Sequence, residues 1–227
     1  MATSFVEQAA KSEPPQPSHG YAIACGVVTD NLNILMDAKV KVRIPSLPDF
    51  ETWARVVSVG GGSSRGFMWL PQVDDEVLVA FNEHDNQDCY ILGGLWNTED
   101  RPPTSIPTDF TNKRILKTGL AGGLGHTVEF DDLLQSITIT SSTKQVVSID
   151  PKSISISTTE GALSVSLDLA ATPPGITVQT KAGNITLSAP AGKISIQGLQ
   201  VEVVSTSTLD LKGTGPTTIV GLPVKIN

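Results

Sequence analysis

From Val128 to Asn227 the sequence alternates apolar and hydroxyl-bearing residues in short units, and this pattern constrains the fold more than any other feature. The units read Ser136-Ile137-Thr138-Ile139-Thr140, Val147-Ser148-Ile149, Ile154-Ser155-Ile156, Leu163-Ser164-Val165-Ser166-Leu167, Ile176-Thr177-Val178, Ile185-Thr186-Leu187, Ile194-Ser195-Ile196, Val201-Glu202-Val203 and Leu209-Asp210-Leu211. A period of two is the mark of β-strands with one apolar face. Asp150-Pro151, Glu160-Gly161, Pro174-Gly175, Gly183-Asn184, Gly192 and Gly213 interrupt the units, so a strand and a corner recur roughly every eight to ten residues. No aromatic residue follows Phe130, and the apolar positions are almost all Ile, Val or Leu, which suits an interior too narrow for rings.

Short strands of this kind have one greasy face and two unpaired edges, and isolated hairpins are marginal in water. Something must close them. A single-chain solenoid needs around twenty residues per coil, with three strands each, and the spacing here is shorter. It predicts instead that each chain supplies one strand per third of a turn and that three identical chains wind about a common axis as a triangular prism, which removes the edges and completes the core. Ile137, Ile139, Ile154, Ile156, Ile176, Val178, Ile185, Leu187, Ile194 and Ile196 are the expected needle core. Ten or eleven layers at about 4.8 Å give a shaft on the order of 50 Å.

Composition narrows the function. A net charge of −7 argues against a nucleic-acid partner, since affinity for a phosphate backbone comes largely from Lys and Arg. The first residues lack a basic segment followed by an apolar run, and no segment reaches the length of a membrane span, so assembly in the cytoplasm is expected. Cys25 and Cys89 are read as two reduced thiols packed as small hydrophobes.

Residues 1–20 are expected to be extended or disordered, with Phe5 to Lys11 able to form a helical turn and Ser12 to Gly20 rich in proline. A compact β domain is expected over 21–103. Ala22 to Thr29, Lys39 to Ile44, Trp53 to Val59, Trp69 to Pro71, Glu76 to Phe81 and Tyr90 to Trp96 read as five or six strands in about eighty residues, for which a small closed OB-type barrel is the economical solution. Residues 104–126 are read as a linker and 127–227 as the needle.

The run Gly26-Val27-Val28-Thr29-Asp30, Val40-Lys41-Val42-Arg43-Ile44-Pro45, Trp53-Ala54-Arg55-Val56, Trp69 to Phe81 and Ile91-Leu92-Gly93-Gly94-Leu95, closing on Pro102-Pro103, resembles the OB domain of contractile-tail spikes, the phage baseplate assembly protein V and the VgrG spikes of type VI secretion. His126-Thr127-Val128-Glu129-Phe130-Asp131-Asp132 resembles that family's junction of barrel and needle, and Gly221 to Asn227 its needle terminus. Asp74 stands where the family usually has glycine, and His84-Asp85 then Asp88 where it has Gly-Asp then Pro. The resemblance implies an all-β chain, an N-terminal OB-fold barrel followed by an intertwined trimeric triple-stranded β-helix. It implies a homotrimeric central spike that docks on a hub and inner tube and punctures a target envelope, touching the membrane only on firing. Some spikes end in a His-x-His pair that binds iron; none stands here, so a PAAR-like tip protein is expected on Val224, Lys225, Ile226 and Asn227. VgrG spikes also carry a hub-like N-terminal region, so the hub is expected to be a separate polypeptide.

Gly60 to Gly66 lacks the Lys-Ser/Thr of a phosphate loop. Lys39, Lys41 and Arg43 with Trp53, Phe67 and Trp69 could line a single-strand groove, but core and a solvated strand explain them better. Glu129, Asp131 and Asp132 could be an acid/base set, yet only about twenty residues lie between barrel and needle, too few for a catalytic domain. His19, His84 and His126 show no metal-ligand spacing. No enzyme activity and no cofactor is expected. The alternative is a trimeric receptor-binding tail fibre or adhesin, which should end in an aromatic-rich head.

Overall fold

The computed structural model describes residues 23–33, 37–82, 85–119 and 125–225. The segment 1–20, His19, His84, Ile226 and Asn227 therefore lie outside the described residues. The chain is all-β, as expected, and begins with a closed barrel.

Five strands form it: β1 (Ile23–Asp30), β2 (Lys39–Arg43), β3 (Glu51–Val56), β4 (Glu76–Asn82) and β5 (Asp85–Gly94), in the closed order β1-β2-β3-β5-β4. Only β3 and β5 pair in parallel. Alternation places Val40 and Val42 of β2, Ala54 of β3, Val77, Val79 and Phe81 of β4, and Cys89 and Ile91 of β5 inside, where Val28 and Ile44 join them. Phe50 closes one end edge-to-face on Phe81, ring centroids 6.1 Å apart. Gly26 is required by packing: a Cβ there would stand 3.0 Å from Ile44 Cδ1 and 3.1 Å from Val79 Cγ2. β1 shifts register between Val28 and Asp30, a bulge that bends it around the barrel.

The expected strand at Trp69 to Pro71 does not form; residues 68–72 run as a loop. Pro71 has no N–H to give a ladder. The segment is tied down singly instead, by Phe67 N donating to Val59 O at 3.0 Å and Asn31 Nδ2 to Pro71 O at 3.2 Å.

The region read as a linker carries α1 (Asp109–Asn112) and β6 (Lys113–Lys117). β7 (Thr127–Asp131), β8 (Ser136–Thr140), β9 (Val146–Ile149), β10 (Ser153–Ser157), β11 (Leu163–Asp168) and β12 (Gly175–Thr180) follow. These seven strands pair in sequence order as one antiparallel sheet. Over this stretch the pairing is thus within one chain, whereas the repeat spacing alone predicts pairing between three chains. The reason is local. Connections between consecutive strands from β7 to β12 have three to six residues, and at three of them an aspartate at the end of the strand or the start of the turn caps the reversing backbone. Asp150 Oδ1 accepts from Lys152 N at 2.8 Å and Ser153 N at 2.9 Å, and Asp150 Oδ2 from Ser153 Oγ at 2.8 Å. Asp168 Oδ1 accepts from Ala170 N and Ala171 N, and Asp131 Oδ1 from Leu134 N. Beyond β12 the alternating units around Ile185, Ile194, Val201 and Leu209 carry no strand ladder within the chain.

Candidate functional site

The register of the seven strands sorts their side chains into columns. Leu116, Val128, Ile139, Val147, Ile156, Val165 and Val178 are successive cross-strand partners, and so are Phe130, Ile137, Ile149, Ile154, Leu167 and Ile176. The two columns are two residues apart on every strand, so they share one face. The other face is hydroxyl: Thr138, Ser148, Ser155, Ser166 and Thr177 form its central column.

Burial in the single chain inverts the usual pattern. On β8 and β10 the Ser and Thr positions are half-buried while the Ile positions are exposed. Ile156 is 55 % exposed and Ile176 73 %. Covering a half-exposed large apolar side chain contributes about 1 kcal/mol, and the eleven exposed Ile, Val, Leu and Phe residues of these columns amount to on the order of 10 kcal/mol per chain. A continuous apolar face of this size marks an assembly surface. Ile137, Ile139, Ile154, Ile156, Ile176 and Val178 all fall on it. Ile185, Leu187, Ile194 and Ile196 continue the alternation past the sheet, exposed and without a ladder. Val224 and Lys225 lie in the same exposed, ladder-free stretch.

Where the sheet begins, one cation organises three carboxylates. Lys113 Nζ stands 3.0 Å from Glu129 Oε1, 3.7 Å from Asp131 Oδ2 and 3.8 Å from Asp109 Oδ2. The Glu129 hydrogen bond is the main reason the Lys113 ammonium is held above its ordinary value. Asp132 lies apart, its N–H donating to Asn112 O at 2.8 Å. Glu129 and Asp131 do share a face, and both turn to Lys113 across the β6–β7 pair. Lys113 escapes a sequence reading because its partners belong to another strand and a helix.

The lysine strand is likewise satisfied. Lys39 pairs with Asp37 at 2.8 Å and Lys41 with Glu51 at 2.5 Å, and the Lys41 bond, with help from Thr29, holds the Glu51 carboxyl below its usual range. Phe67 and Trp69 stack with centroids 5.7 Å apart, but the concave surface they line includes none of Lys39, Lys41, Arg43 or Trp53. Arg55 bonds Asp88 at 2.7 Å, lies 4.4 Å from the Tyr90 ring centre and also bonds the Tyr90 hydroxyl, an outer-face network that locks β3 to β5. Cys25 and Cys89 are both free. Burial pushes the Cys89 thiol up to about 11, so it stays protonated. His126 Nδ1 accepts from Ser142 N at 3.3 Å, and among the described residues no cluster of three or more His, Cys, Asp or Glu could hold a metal ion. No helix of the described residues is long and apolar enough to cross a membrane.

A closed OB-like barrel followed by an antiparallel sheet with one exposed apolar face defines the class of architecture: an all-β, barrel-plus-sheet chain. Comparison with known proteins specifies it. Residues 24–96 match the family model of the type VI secretion system/phage-baseplate injector OB domain. The chain is 36% identical over 73 residues to the type VI secretion system spike protein VgrG5 of Pseudomonas aeruginosa, covering 32% of this chain and 9% of that protein. It is 28% identical over 132 residues to the actin cross-linking toxin VgrG1 of Vibrio cholerae, covering 54% of this chain and 12% of that protein. With the spike protein VgrG2a of P. aeruginosa it shares 26% over 105 residues, 44% of this chain and 12% of the other. The barrel is thus a phage-baseplate V and VgrG-like OB domain, and the chain is a distant homologue of VgrG spike proteins. It spans only about a tenth of the length of these relatives.

Proposed function

We propose that the chain is one protomer of a three-fold central spike in a contractile injection system or phage-like tail. Three sheets pack apolar face to apolar face into a prism, and residues 181–225 extend it by pairing between chains. Residues 21–103 make the collar, 104–126 the connection, whose β6 is the first strand of the needle sheet, and 127–227 the needle, with Ile137, Ile139, Ile154, Ile156, Ile176, Val178, Ile185, Leu187, Ile194 and Ile196 inside. The collar docks on hub and inner tube, and sheath contraction drives the needle through the target envelope. A small PAAR-like cap seats on the last strands around Val224 and Lys225. The work is mechanical: stiffness and symmetry carry it, without catalysis.

The observation that carries this reading is the pair of exposed apolar columns running the length of the seven-stranded sheet. The match of residues 24–96 to the injector OB domain supports the setting in such a machine. Light scattering on a chromatography peak should give about 72 kDa, three chains of 23.9 kDa. A folded particle of one chain's mass would refute it. Isolation of parent particles should place the protein at the tail tip, with a small protein beyond the needle that is lost when residues 217–227 are deleted.

A further inference from the structure

The barrel carries a second apolar surface that the spike reading leaves unused. The loop from Val59 to Phe67 is a tight, built structure: Gly62 N donates to Arg65 O at 3.0 Å and Arg65 N to Gly62 O at 3.2 Å, while Ser58 Oγ donates to Phe67 O at 2.5 Å. Gly66 sits at φ +135, and a Cβ there would stand 2.9 Å from Gly61 Cα, so the loop closes only with glycine. It holds the stacked Phe67 and Trp69 along one wall of an open groove of about 1640 Å³, with Val57, Val59 and Trp96 beside them. Met68 is 84 % exposed and Trp96 71 %. An aromatic-walled groove larger than the usual 300–1,000 Å³ of a small-molecule site fits a stretch of extended chain better than a compact ligand.

The chain itself contains the matching stretch. Pro14-Pro15-Gln16-Pro17 precedes β1, and proline-rich sequence favours the polyproline II helix, which docks on aromatic-lined grooves at little entropic cost. Reach is sufficient. The segment is joined at Ile23, and Val27, four residues into β1, is the cross-strand partner of Glu76, which lines the groove; that path is about 13 Å. Pro17 lies six residues before Ile23, a span of up to about 20 Å when extended. Charge does not choose the occupant: the groove carries Arg65 and Arg101 against Asp75, Glu76, Glu99 and Asp100, while the segment, with Lys11 and Glu13, is neutral overall. Aromatic and proline surfaces choose it, and tethering raises the segment's effective concentration to the millimolar range, so that weak intrinsic affinity suffices. We infer that the Phe67, Trp69 and Trp96 groove is the docking site of the chain's own proline-rich segment around Pro14 to Pro17.

The test uses the full-length protein labelled with 5-fluorotryptophan, whose three tryptophans give separate fluorine resonances, assigned by Trp69→Phe and Trp96→Phe. Replacing Pro14, Pro15 and Pro17 by Ala, all outside the barrel, should shift the Trp69 and Trp96 resonances and leave Trp53 in place. Acrylamide quenching of tryptophan emission should rise about two- to threefold, and excess peptide spanning residues 12–20 should reverse both effects. The oligomeric state should not change, which separates this inference from the spike reading. Unchanged resonances and quenching in the triple variant would overturn it. So would resonances that follow protein concentration instead of the prolines, an outcome that assigns the groove to a second copy.

Discussion

Ile156→Asp is the most informative perturbation of the apolar face. Ile156 occupies the middle of its column, between Val147 of β9 and Val165 of β11, and is 55 % exposed in one chain. If three sheets meet there, each substitution forfeits about 1 kcal/mol of apolar burial. It also places a carboxylate out of water, at several kcal/mol per ion even after relaxation. Three carboxylates about 8 Å apart repel one another by about 2 kcal/mol per pair at an effective dielectric near 20. The assembled loss is then roughly 15–20 kcal/mol per trimer, beyond what three chains can absorb. Ser155→Asp, on the hydroxyl face one residue away, should cost almost nothing.

Sedimentation velocity on the two variants reads the difference: the Ser155 variant stays trimeric and the Ile156 variant dissociates or aggregates. Acid should partly rescue the latter. An aspartate buried in apolar surroundings has a raised pKa, so the stability it allows is present while it is protonated and is lost as pH rises through that value. Equal behaviour of the two variants at neutral pH would refute the assignment of faces, because a one-residue shift of register exchanges them.

Other outcomes follow from the barrel and its junction. Gly26→Ala should destabilise the barrel by about 1–3 kcal/mol, read by denaturant midpoint, because the new methyl meets Ile44 and Val79 at 3.0–3.1 Å. Lys113→Ala should lower the melting temperature by leaving Glu129 and Asp131 without their cation, and Lys113→Arg should retain most of it. Since the folded Lys113 value is raised, this contribution is complete below the ordinary lysine pKa and fades as pH climbs past it. Cys89 should resist iodoacetamide at neutral pH while exposed Cys25 reacts. Its folded value of about 11 against an ordinary 9.0 means that on the order of 2 kcal/mol is lost as pH rises through that window, unless Cys89→Ala removes the dependence.

Most of the barrel was legible because its strands alternate and its turns are punctuated by Gly and Pro. Lys39 to Ile44 and Glu76 to Phe81 need only their period of two to be placed. Trp69-Leu70-Pro71 misleads because two large apolar residues resemble a strand core, while Pro71 has no N–H to give a ladder and the segment runs as a loop. In the repeats the period of two gives the faces but not the partner. Ile154 makes the same alternation whether Ile149 of its own chain or a residue of another lies beside it. Lys113 was invisible for a related reason, since its three carboxylates converge only once β6 pairs with β7.

Partner choice along the repeats has a local signal in the side chain that caps the turn. It is an aspartate in three of the five hairpins from β7 to β12 and a hydroxyl in the other two, where Ser141 Oγ accepts from Gln145 N and Thr158 Oγ1 from Leu163 N, each at 3.0 Å. Each hairpin whose carboxylate bonds the following N–H groups, at Asp131, Asp150 and Asp168, folds the next strand back on its own chain. After Asp168 the next aspartate is Asp210, and the corners between carry Gly183, Gly192 and Gly198 with no carboxylate to cap the turn. The intrachain ladder stops at Thr180, within three residues of the first of these glycines. Placing Asp-based turns at Gly183 and Gly192, as in Gly183→Asp with Gly192→Asp, should therefore favour additional hairpins within one chain and weaken association of residues 181–225. Faster limited proteolysis of the C-terminal third, with residues 23–180 intact, is the expected reading. Unaltered protease resistance would mean that something other than turn chemistry ends the ladder at β12.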